Sequence, residues 1–468
     1  MASPQAFREI FAGAGILWQT RTAAYCIGID EFVPLALVLS LDDGSDLDLI
    51  EQRTGIRFLS REKVENLRRG FGDEPETYVL HPTLVGELQE YLRRNSARQW
   101  IAASPYPSLF LREFAASAGL PCWSRDWREF RHFSSKRNLK ACLEELELPR
   151  LPANLIRLRQ TRYSEIASQY GAKLVLQLDE SAAGLGTAVI SSAADFDVAV
   201  SRFRDAEVWV SPYAGCLSLN VNAVATDNGT VVGYPNVQIV GQPILHSRPG
   251  GHCGNDFTAA AALPGVIRDS IREQTTRIGD WMVARGYRGL FGLDFVVDES
   301  CGAPCAVDLN PRWQGSTSLQ AQAESRQGRL PLAAAELALQ LGFLQGRELV
   351  KMADLFCEPL VGGQAFLRSP PGSFWRVRGA LKAGAYSFSA EYLRPALRLA
   401  DLNSTESVVM TGGVPRLGRR VQPGAGLLRL CGLQTAVDPT NGSLLPWLKS
   451  LALKVYNLLE LEMIEELD

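Results

Sequence analysis

Residues 289–318 read GLFGLDFVVDESCGAPCAVDLNPRWQGSTS, and this stretch decides the fold. Two apolar runs typical of β-strands flank a short turn rich in Gly and Pro, so we expect a β-hairpin. Because alternate residues of a strand point to one face, Asp308, Asn310 and Arg312 are expected to line up. Asp294 on the preceding strand joins them if the two strands pair. The hairpin is therefore expected to gather two carboxylates, an amide and a guanidinium.

These polar groups have the chemistry of a site for Mg²⁺ and phosphate. Carboxylate and amide oxygens such as those of Asp294, Asp308 and Asn310 are hard ligands that suit Mg²⁺. Arg312 offers a planar pair of donors for a phosphate or a carboxylate. The alternative is a surface strand with solvated charges, in which Asn310 caps a helix. The apolar run around Asp294 argues against that alternative, because a buried acid needs a cation or hydrogen-bond donors.

Composition favours a protein that acts on small molecules. The chain has 468 residues, which predicts two to three domains. Lys and Arg total 48 against 51 Asp and Glu, so the net charge of −3 offers no basic surface for nucleic acid and no polybasic membrane anchor. Nine scattered cysteines without a CxxC pair indicate a reduced, cytoplasmic setting. No secretory signal or membrane-spanning run is recognisable.

The order of apolar patterns predicts three regions. Residues 1–128 alternate strand-like runs with helical ones, which favours a parallel sheet covered by helices. Residues 129–350 begin with an amphipathic helix that starts near Lys136, continue through several strands and end past the hairpin described above. Residues 351–468 are rich in strands and turns and end in an apolar helix.

Two loops are candidates for ligand contact. The loop in DESAAGLGTAVI, residues 179–190, has small side chains, so its backbone N–H groups can approach phosphate oxygens and the loop can fold down as a lid. It lacks the Gly-Lys-Ser/Thr of a P-loop, and an ordinary flexible hairpin is the alternative. The longer loop, residues 241–257, contains Arg248, His252 and Asn255 and can close over an acid substrate. A plain connection is the alternative there.

After the hairpin, Ser316 and Thr317 are candidate donors to an acyl group. Trp313 is expected to pack in the core, which is the commoner fate of a Trp.

The order of these features resembles the ATP-grasp superfamily, of the carboxylate–amine ligase type. The features are, in chain order, Lys136 at a helix start, the small-residue loop at 181–187, a strand pair around 208–215, and then GLDFVVD and AVDLNPRWQGS. The resemblance covers about residues 133–350. It implies an α/β chain, α+β in part, with a Rossmann-like pre-ATP-grasp domain over 1–128. An ATP-grasp domain with two antiparallel-sheet subdomains follows over 129–350, the smaller, lid-bearing one at about 150–213. A strand-rich region over 351–468 completes the chain.

The resemblance implies that ATP lies between two sheets, with Mg²⁺, or Mn²⁺ in its place, held by Asp294, Asp308 and Asn310. Arg312, together with Asn310, is the implied catalytic group that steadies the transferred phosphate. The implied nucleotide contacts are Lys136, Gln177, Ser181, Gly184, Gly186, Thr187, Ser211 and Tyr213. Three positions depart from the family's pattern. Gln177 stands where a lysine is common, Ser211 where an acidic residue often contacts the adenosine, and Asp308 where Glu is more usual.

The activity implied by the resemblance is ligation. A substrate carboxylate attacks the γ-phosphate of ATP, and an amine then displaces phosphate from the acyl phosphate, so that ADP and phosphate are released. Amino acids or peptide-like molecules are the expected substrates, with Arg248, His252 and Ser316 as candidate contacts. One alternative keeps the fold and changes the acceptor to bicarbonate or a thiol, as in a carboxylase or an acyl-CoA synthetase. Another is a non-catalytic nucleotide-binding protein, which Gln177 and Ser211 favour. The strand-rich C-terminal region could wall the site or form the contact of a homodimer.

Overall fold

The computed structural model describes residues 3–20, 22–64, 82–180, 184–215, 217–297 and 303–465. In the N-terminal part the elements are α1 (Pro4–Glu9), β1 (Gly15–Gln19), β2 (Leu35–Ser40), α2 (Ser45–Thr54), β3 (Arg57–Ser60), α3 (Arg61–Val64), α4 (Pro82–Arg94), β4 (Trp100–Ser104), α5 (Leu109–Ala118), β5 (Cys122–Ser124) and α6 (Trp127–Ser134). The strands form a parallel sheet in the order β3-β2-β1-β4-β5. Strands β1, β2 and β4 are buried throughout, as expected for a parallel sheet covered on both faces. The predicted Rossmann-like architecture is confirmed.

A smaller antiparallel sheet follows, which we call the lid sheet. Its part of the chain contains α7 (Lys136–Glu145), β6 (Asn154–Arg157), α8 (Tyr163–Tyr170), β7 (Leu174–Leu178), β8 (Thr187–Ile190), α9 (Ala193–Phe203) and β9 (Glu207–Pro212). The strands pair in the order β6-β9-β7-β8. Leu174, Leu176, Val208 and Val210 pack in one core with residues of α8 and α9. Because side chains alternate along a strand, Gln177 on β7 lies on the other face of the sheet.

The large antiparallel sheet holds the hairpin with which the sequence analysis began. Its first part contains β10 (Leu217–Thr226), β11 (Gly229–Val232), β12 (Asn236–Val240), β13 (His252–Asp256), α10 (Phe257–Ala260), α11 (Gly265–Ala284), β14 (Gly289–Val297), β15 (Pro304–Asn310), α12 (Thr317–Arg326), α13 (Leu332–Gln340), α14 (Gly346–Lys351) and α15 (Ala353–Phe356). Strands β14 and β15 pair antiparallel, as the sequence predicts. On β10, Leu219, Val221 and Ala223 join the largest core, while Asn220 and Asn222 point to the opposite face.

The C-terminal elements are β16 (Gly363–Arg368), β17 (Phe374–Val377), β18 (Gly384–Ser387), β19 (Tyr392–Arg394), β20 (Ser407–Thr411), β21 (Arg420–Val421), β22 (Gly426–Gly432), α16 (Pro446–Leu459) and β23 (Leu461–Ile464). Within the described ranges the large sheet runs β15-β14-β10-β12-β13-β16-β22-β20-β18-β19, with β11 beside β10. The boundary predicted near residue 350 stays a prediction, and strands from both sides of it share this one sheet. The expected apolar helix is α16, and the short strand β23, which the sequence did not predict, follows it and pairs with β17.

A buried ion pair joins the N-terminal part to the hairpin. The Nη2 of Arg125 lies 2.8 Å from Oε1 of Glu336, and the two side chains are only 3% and 0% exposed. Glu336 also accepts hydrogen bonds from Leu290 N (3.2 Å) and Trp313 Nε1 (3.2 Å). Trp313 is fully buried against Trp18 of β1, with ring centroids 5.1 Å apart. The end of the hairpin is thus fixed by this cluster of a buried ion pair and its hydrogen bonds. None of the helices within the described ranges combines the length and the apolar character that a membrane span requires.

The substitution Glu336→Gln tests this cluster. It keeps the shape of the side chain but leaves the buried Arg125 charge uncompensated, so we expect a loss of about 3–5 kcal/mol in the free energy of unfolding. Urea unfolding followed by tryptophan fluorescence measures the loss. The control is Asp354→Asn. The Asp354 side chain is 95% exposed in its pair with Arg272, so this substitution should change the free energy of unfolding by less than about 0.5 kcal/mol. Equal stability of the two variants would contradict the role of the cluster.

Candidate active site

The hairpin brings three of the predicted site residues together. Asp294 and Asp308 are direct partners across β14 and β15, and Asn310 lies opposite Gly292 two residues further along. Arg312 does not continue the strand as expected, because the chain bends after Asn310 and Arg312 N donates to the Asn310 carbonyl at 2.8 Å. Its side chain nevertheless returns to the site, where Nη2 donates to Asn310 Oδ1 at 3.1 Å. A Cβ at residue 292 would lie 1.3 Å from Gln314 Nε2, so a larger residue there would have to displace the buried Gln314 side chain.

Asp294 is held by two amides from neighbouring strands. Its Oδ1 accepts hydrogen bonds from Asn220 Nδ2 (2.7 Å) and Gln238 Nε2 (2.9 Å). Burial, followed by the charge of Asp308, raises the pKa of Asp294 well above its ordinary range. Asp308 faces a cation, because Lys136 Nζ lies 3.2 Å from its Oδ1. Both carboxylates remain partly exposed.

This donor set fits a magnesium ion. Two carboxylates that face each other repel, and a divalent cation between them would offset their charge. In the part of the chain that the structure describes, no group of three or more His, Cys, Asp or Glu could hold a metal. The site has two carboxylates and one amide, so Asp294, Asp308 and Asn310 would leave part of the shell of Mg²⁺ to water or phosphate.

A buried row of amides runs from Asp294 across the large sheet; the sequence singled out Asn255 as part of a covering loop but missed Asn220 and Asn236. Asn236 Nδ2 donates to Asn220 Oδ1 at 3.1 Å, and Asn255 Nδ2 donates to Asn236 Oδ1 at 2.8 Å. His252 Nε2 lies 3.0 Å from Asn255 Oδ1. We call Asn220, Asn236 and Asn255 the amide row. Its signal in the sequence is an asparagine inside otherwise apolar strands, since a buried amide needs partners.

Ser316 lies inside the same network. It is buried, its Oγ donates to Asn220 Oδ1 at 2.7 Å and it accepts a hydrogen bond from Asn222 Nδ2 at 3.0 Å. Thr317 Oγ1 likewise donates to Asn222 Oδ1 at 3.1 Å. These hydroxyl protons are engaged within the protein, so both residues support the site from behind rather than facing an open cavity. Trp313 packs in the core, as predicted.

The row ends at a basic pocket. Arg248 and His252, which the sequence predicts as substrate contacts, line a cavity of about 260 Å³ together with His246, Ser247 and Arg368. Arg368 was missed, because nothing near it in sequence marks it. Burial lowers the pKa of His252 to about 4, and the nearby arginines act in the same direction, so its imidazole is neutral at pH 7. The arginines therefore carry the positive charge of this pocket.

The lid loop approaches the segment before β13. The predicted loop at 241–257 is shorter than expected, because His252–Asp256 form β13. A Cβ on Gly184 would lie 3.1 Å from Gly250 O and 3.1 Å from Gly251 Cα, and a Cβ on Gly250 would lie 3.2 Å from Thr187 Cγ2. Gly184 and Gly250 both have φ of 74°, which favours glycine. The two glycine-rich segments thus approach more closely than side chains would allow. Gly186 O accepts from Leu178 N at the base of the loop, and Ser181 falls outside the described residues.

The remaining nucleotide candidates lie on the lid sheet. Gln177 is the direct partner of Trp209, and Ser211 is the partner of Val175, so these side chains share the face opposite α8 and α9. Ser211 is buried, whereas Tyr213 is exposed with Lys173 Nζ 3.6 Å from its ring centroid. The amide row thus lies on the large sheet and Lys136 on α7, whereas Gln177 and Ser211 lie on the lid sheet.

Comparison with solved structures matches nearly the whole chain. Carboxyaminoimidazole ribonucleotide synthase from Aspergillus clavatus, complexed with ATP, is 14% identical with a TM-score of 0.55 and covers 95% of this chain and 99% of its own. L-amino acid ligase from Bacillus licheniformis is 10% identical, with a TM-score of 0.56 and coverage of 97% and 99%. The biotin carboxylase domain of 2-oxoglutarate carboxylase from Hydrogenobacter thermophilus, with MgADP and bicarbonate, is 10% identical, with a TM-score of 0.57 and coverage of 90% and 86%.

The chain has the ATP-grasp fold. No protein-family model matches it, and no curated protein matches its sequence. At these identities the likeness concerns the fold, and the predicted ATP-grasp architecture is confirmed. The amide row links the hairpin to the basic pocket, and Gly184 approaches Gly250 next to that pocket.

The substitution Asp294→Asn separates electrostatic repulsion from metal binding. Removal of one of two facing charges should raise the melting temperature of the metal-free protein by about 2 °C, for an effect of about 1 kcal/mol. The same change should abolish the additional stabilisation by Mg²⁺ with ATP, which reaches about 2.7 kcal/mol at a hundredfold excess over Kd. Differential scanning fluorimetry measures both. Asp205→Asn, whose side chain is 78% exposed, is the control, and an Asp294→Asn protein that still responds fully to Mg²⁺ with ATP would contradict the assignment.

Proposed function

We propose that this protein is an ATP-dependent ligase that activates a carboxylate as an acyl phosphate and couples it to an amine, with release of ADP and phosphate. The observation that carries the proposal is the facing pair Asp294 and Asp308 with Asn310 and Arg312 beside it. The fold supports it, because the solved structures with this fold include ligases and a carboxylase domain with MgADP. The more specific part of the proposal is that an amine is the nucleophile that accepts the acyl group.

The residues around the acidic pair divide the work of phosphoryl transfer. Asp294, Asp308 and Asn310 would hold Mg²⁺, which when bound would neutralise charge on the phosphates. Arg312 lies beside Asn310 and donates to the transferred phosphoryl group, where negative charge accumulates. Two amides fix Asp294 and Lys136 fixes Asp308, so the carboxylates are oriented before ligand arrives. Preorganisation of this kind supplies much of the rate in phosphoryl transfer.

The basic pocket suits the acid substrate. Arg248 and Arg368 offer two guanidinium groups to a carboxylate, and the neutral His252 can hydrogen-bond without adding charge. The cavity of about 260 Å³ favours a small acid such as an amino acid or a short peptide-like molecule. The amide row links this pocket to Asp294, so the acid and the phosphates are positioned by one rigid network.

The chemistry balances without a protein nucleophile. The carboxylate oxygen attacks the γ-phosphorus of ATP, and ADP leaves with the electrons of the broken P–O bond. The amine nitrogen then attacks the acyl carbon, phosphate leaves, and the amine proton passes to water. Gly184 and the segment around Gly250, which approach each other closely, would help to keep water from the acyl phosphate.

The proposal predicts ADP release that requires a divalent metal, an acid and an amine together. A coupled ADP assay over amino acids and small carboxylic acids, with Mg²⁺ or Mn²⁺, measures it. The Asp308→Ala, Asn310→Ala double variant should lose at least about a hundredfold in kcat/KM, because it removes two of the three metal oxygens. The control pair Asp438→Ala, Asn441→Ala changes the same residue types in the turn at residues 438–442 and should keep full activity.

The outcome also separates the alternatives. Full activity of the Asp308→Ala, Asn310→Ala variant would rule out the metal assignment. ADP release with bicarbonate or a thiol, and with no amine, would replace the amine by another acceptor. Tight Mg²⁺-dependent ATP binding without ADP release across the whole panel would identify a non-catalytic nucleotide-binding protein.

A further inference from the structure

Helix α7 carries a second lysine that the acidic pair does not use. Lys136 and Lys140 are one helical turn apart, so their side chains share one face of the helix. Lys136 reaches Asp308, whereas Lys140 Nζ lies 5.0 Å from the ring centroid of Trp209 on the lid sheet. The two ammonium groups therefore connect α7 to both sheets that flank the site.

Lys140 has no anionic partner among the described residues. Within the described ranges its ammonium group contacts the ring of Trp209, and the residue is partly buried. Burial, followed by the charge of Lys136, lowers its pKa to about 8, so it is still mainly a cation at pH 7. A desolvated cation beside a second cation is unfavourable unless an anion binds near it. Such an arrangement is typical of a binding site for a negatively charged ligand.

The position of Trp209 shows where that ligand would lie. Trp209 is the direct cross-strand partner of Gln177, and its Nε1 donates to Asp179 Oδ1 at 3.0 Å. Asp179 also accepts from Ser135 Oγ at 2.9 Å, which fixes the start of α7 against the end of β7. Lys140 thus lies over Trp209, the cross-strand partner of Gln177. Gln177 is the position at which the family resemblance leads us to expect a lysine for the phosphates.

We propose that Lys140 is a phosphate-binding residue that supplies, from helix α7, the positive charge that Gln177 lacks on strand β7. Its ligand is the polyphosphate of a nucleoside triphosphate. The inference rests on the proposed function and adds to it a residue and the origin of the charge. The cation–π contact with Trp209 then holds the ammonium in place until the nucleotide binds.

Nucleotide binding tests the role of Lys140 directly. Isothermal titration with Mg²⁺ and a non-hydrolysable ATP analogue should give Lys140→Gln a Kd about 10- to 100-fold higher than that of the wild type, since a charge-assisted contact is lost. Lys140→Arg keeps the charge and should remain within about threefold. The matched control is Arg137→Gln, which removes an exposed charge from the same helix while its backbone N–H keeps its bond to Asp179.

A second variant distinguishes charge from structure. Adding Gln177→Lys to Lys140→Gln places a cation on β7 and should restore affinity, whereas a merely structural role of Lys140 would not be rescued. The melting temperature of ligand-free Lys140→Gln should stay close to that of the wild type. If the wild type binds the nucleotide and Lys140→Gln binds it equally well, the inference about Lys140 is overturned but the proposed function is not. A wild type that binds no nucleotide would overturn the proposed function as well.

Discussion

The repulsion between Asp294 and Asp308 is the constraint on which the site depends. Like charges directly opposite each other on paired strands are destabilising, and the effect is larger where water is partly excluded. The structure offsets it with two amides on Asp294 and one ammonium group on Asp308. These donors come from β10, β12 and α7, so three separate elements must be in place for the pair to exist. In the chain without ligand, Lys136 is the cation that Asp308 faces.

A site with so many buried polar groups needs a rigid surrounding. The amides of the row are hydrogen-bonded within the protein, and the buried Arg125 charge is paired with Glu336, which lowers the cost of burying these groups. Further ion pairs join the N-terminal part to the C-terminal strands, among them Arg419 with Glu62 at 2.9 Å. The acidic pair and the amide row lie on strands of one sheet, so their geometry does not depend on a loop.

Strand alternation and family resemblance predicted much of this structure. The pairing of Asp294 with Asp308 followed from two apolar runs around a turn, and the parallel N-terminal sheet followed from alternating strand and helix patterns. The alignment of Arg312 failed, because periodicity does not reveal that the strand ends at Asn310. Arg368 and the partners of the amide row could not be predicted, since they depend on contacts between strands far apart in sequence.

The same limit explains the C-terminal region. Its strands were predicted, but periodicity does not identify their partners, and β16 proves to pair with β13 and extend the large sheet. That pairing places Arg368, at the end of β16, beside His252, the first residue of β13. The C-terminal region thus lines the basic pocket because β16 pairs with β13.

The location of the charges on α7 has a consequence for the lid. Helix α7 is fixed to α11, where Trp281 Nε1 donates to Glu145 Oε2 at 2.9 Å and Arg277 contacts the Leu146 carbonyl. A lysine at position 177 would make phosphate binding pull directly on the lid sheet. In the proposed site Lys136 and Lys140 would supply the positive charge from α7, which is tied to α11 and also, through Asp179, to the end of β7. The lid sheet meets the basic pocket where Gly184 approaches Gly250 and Gly251 closely.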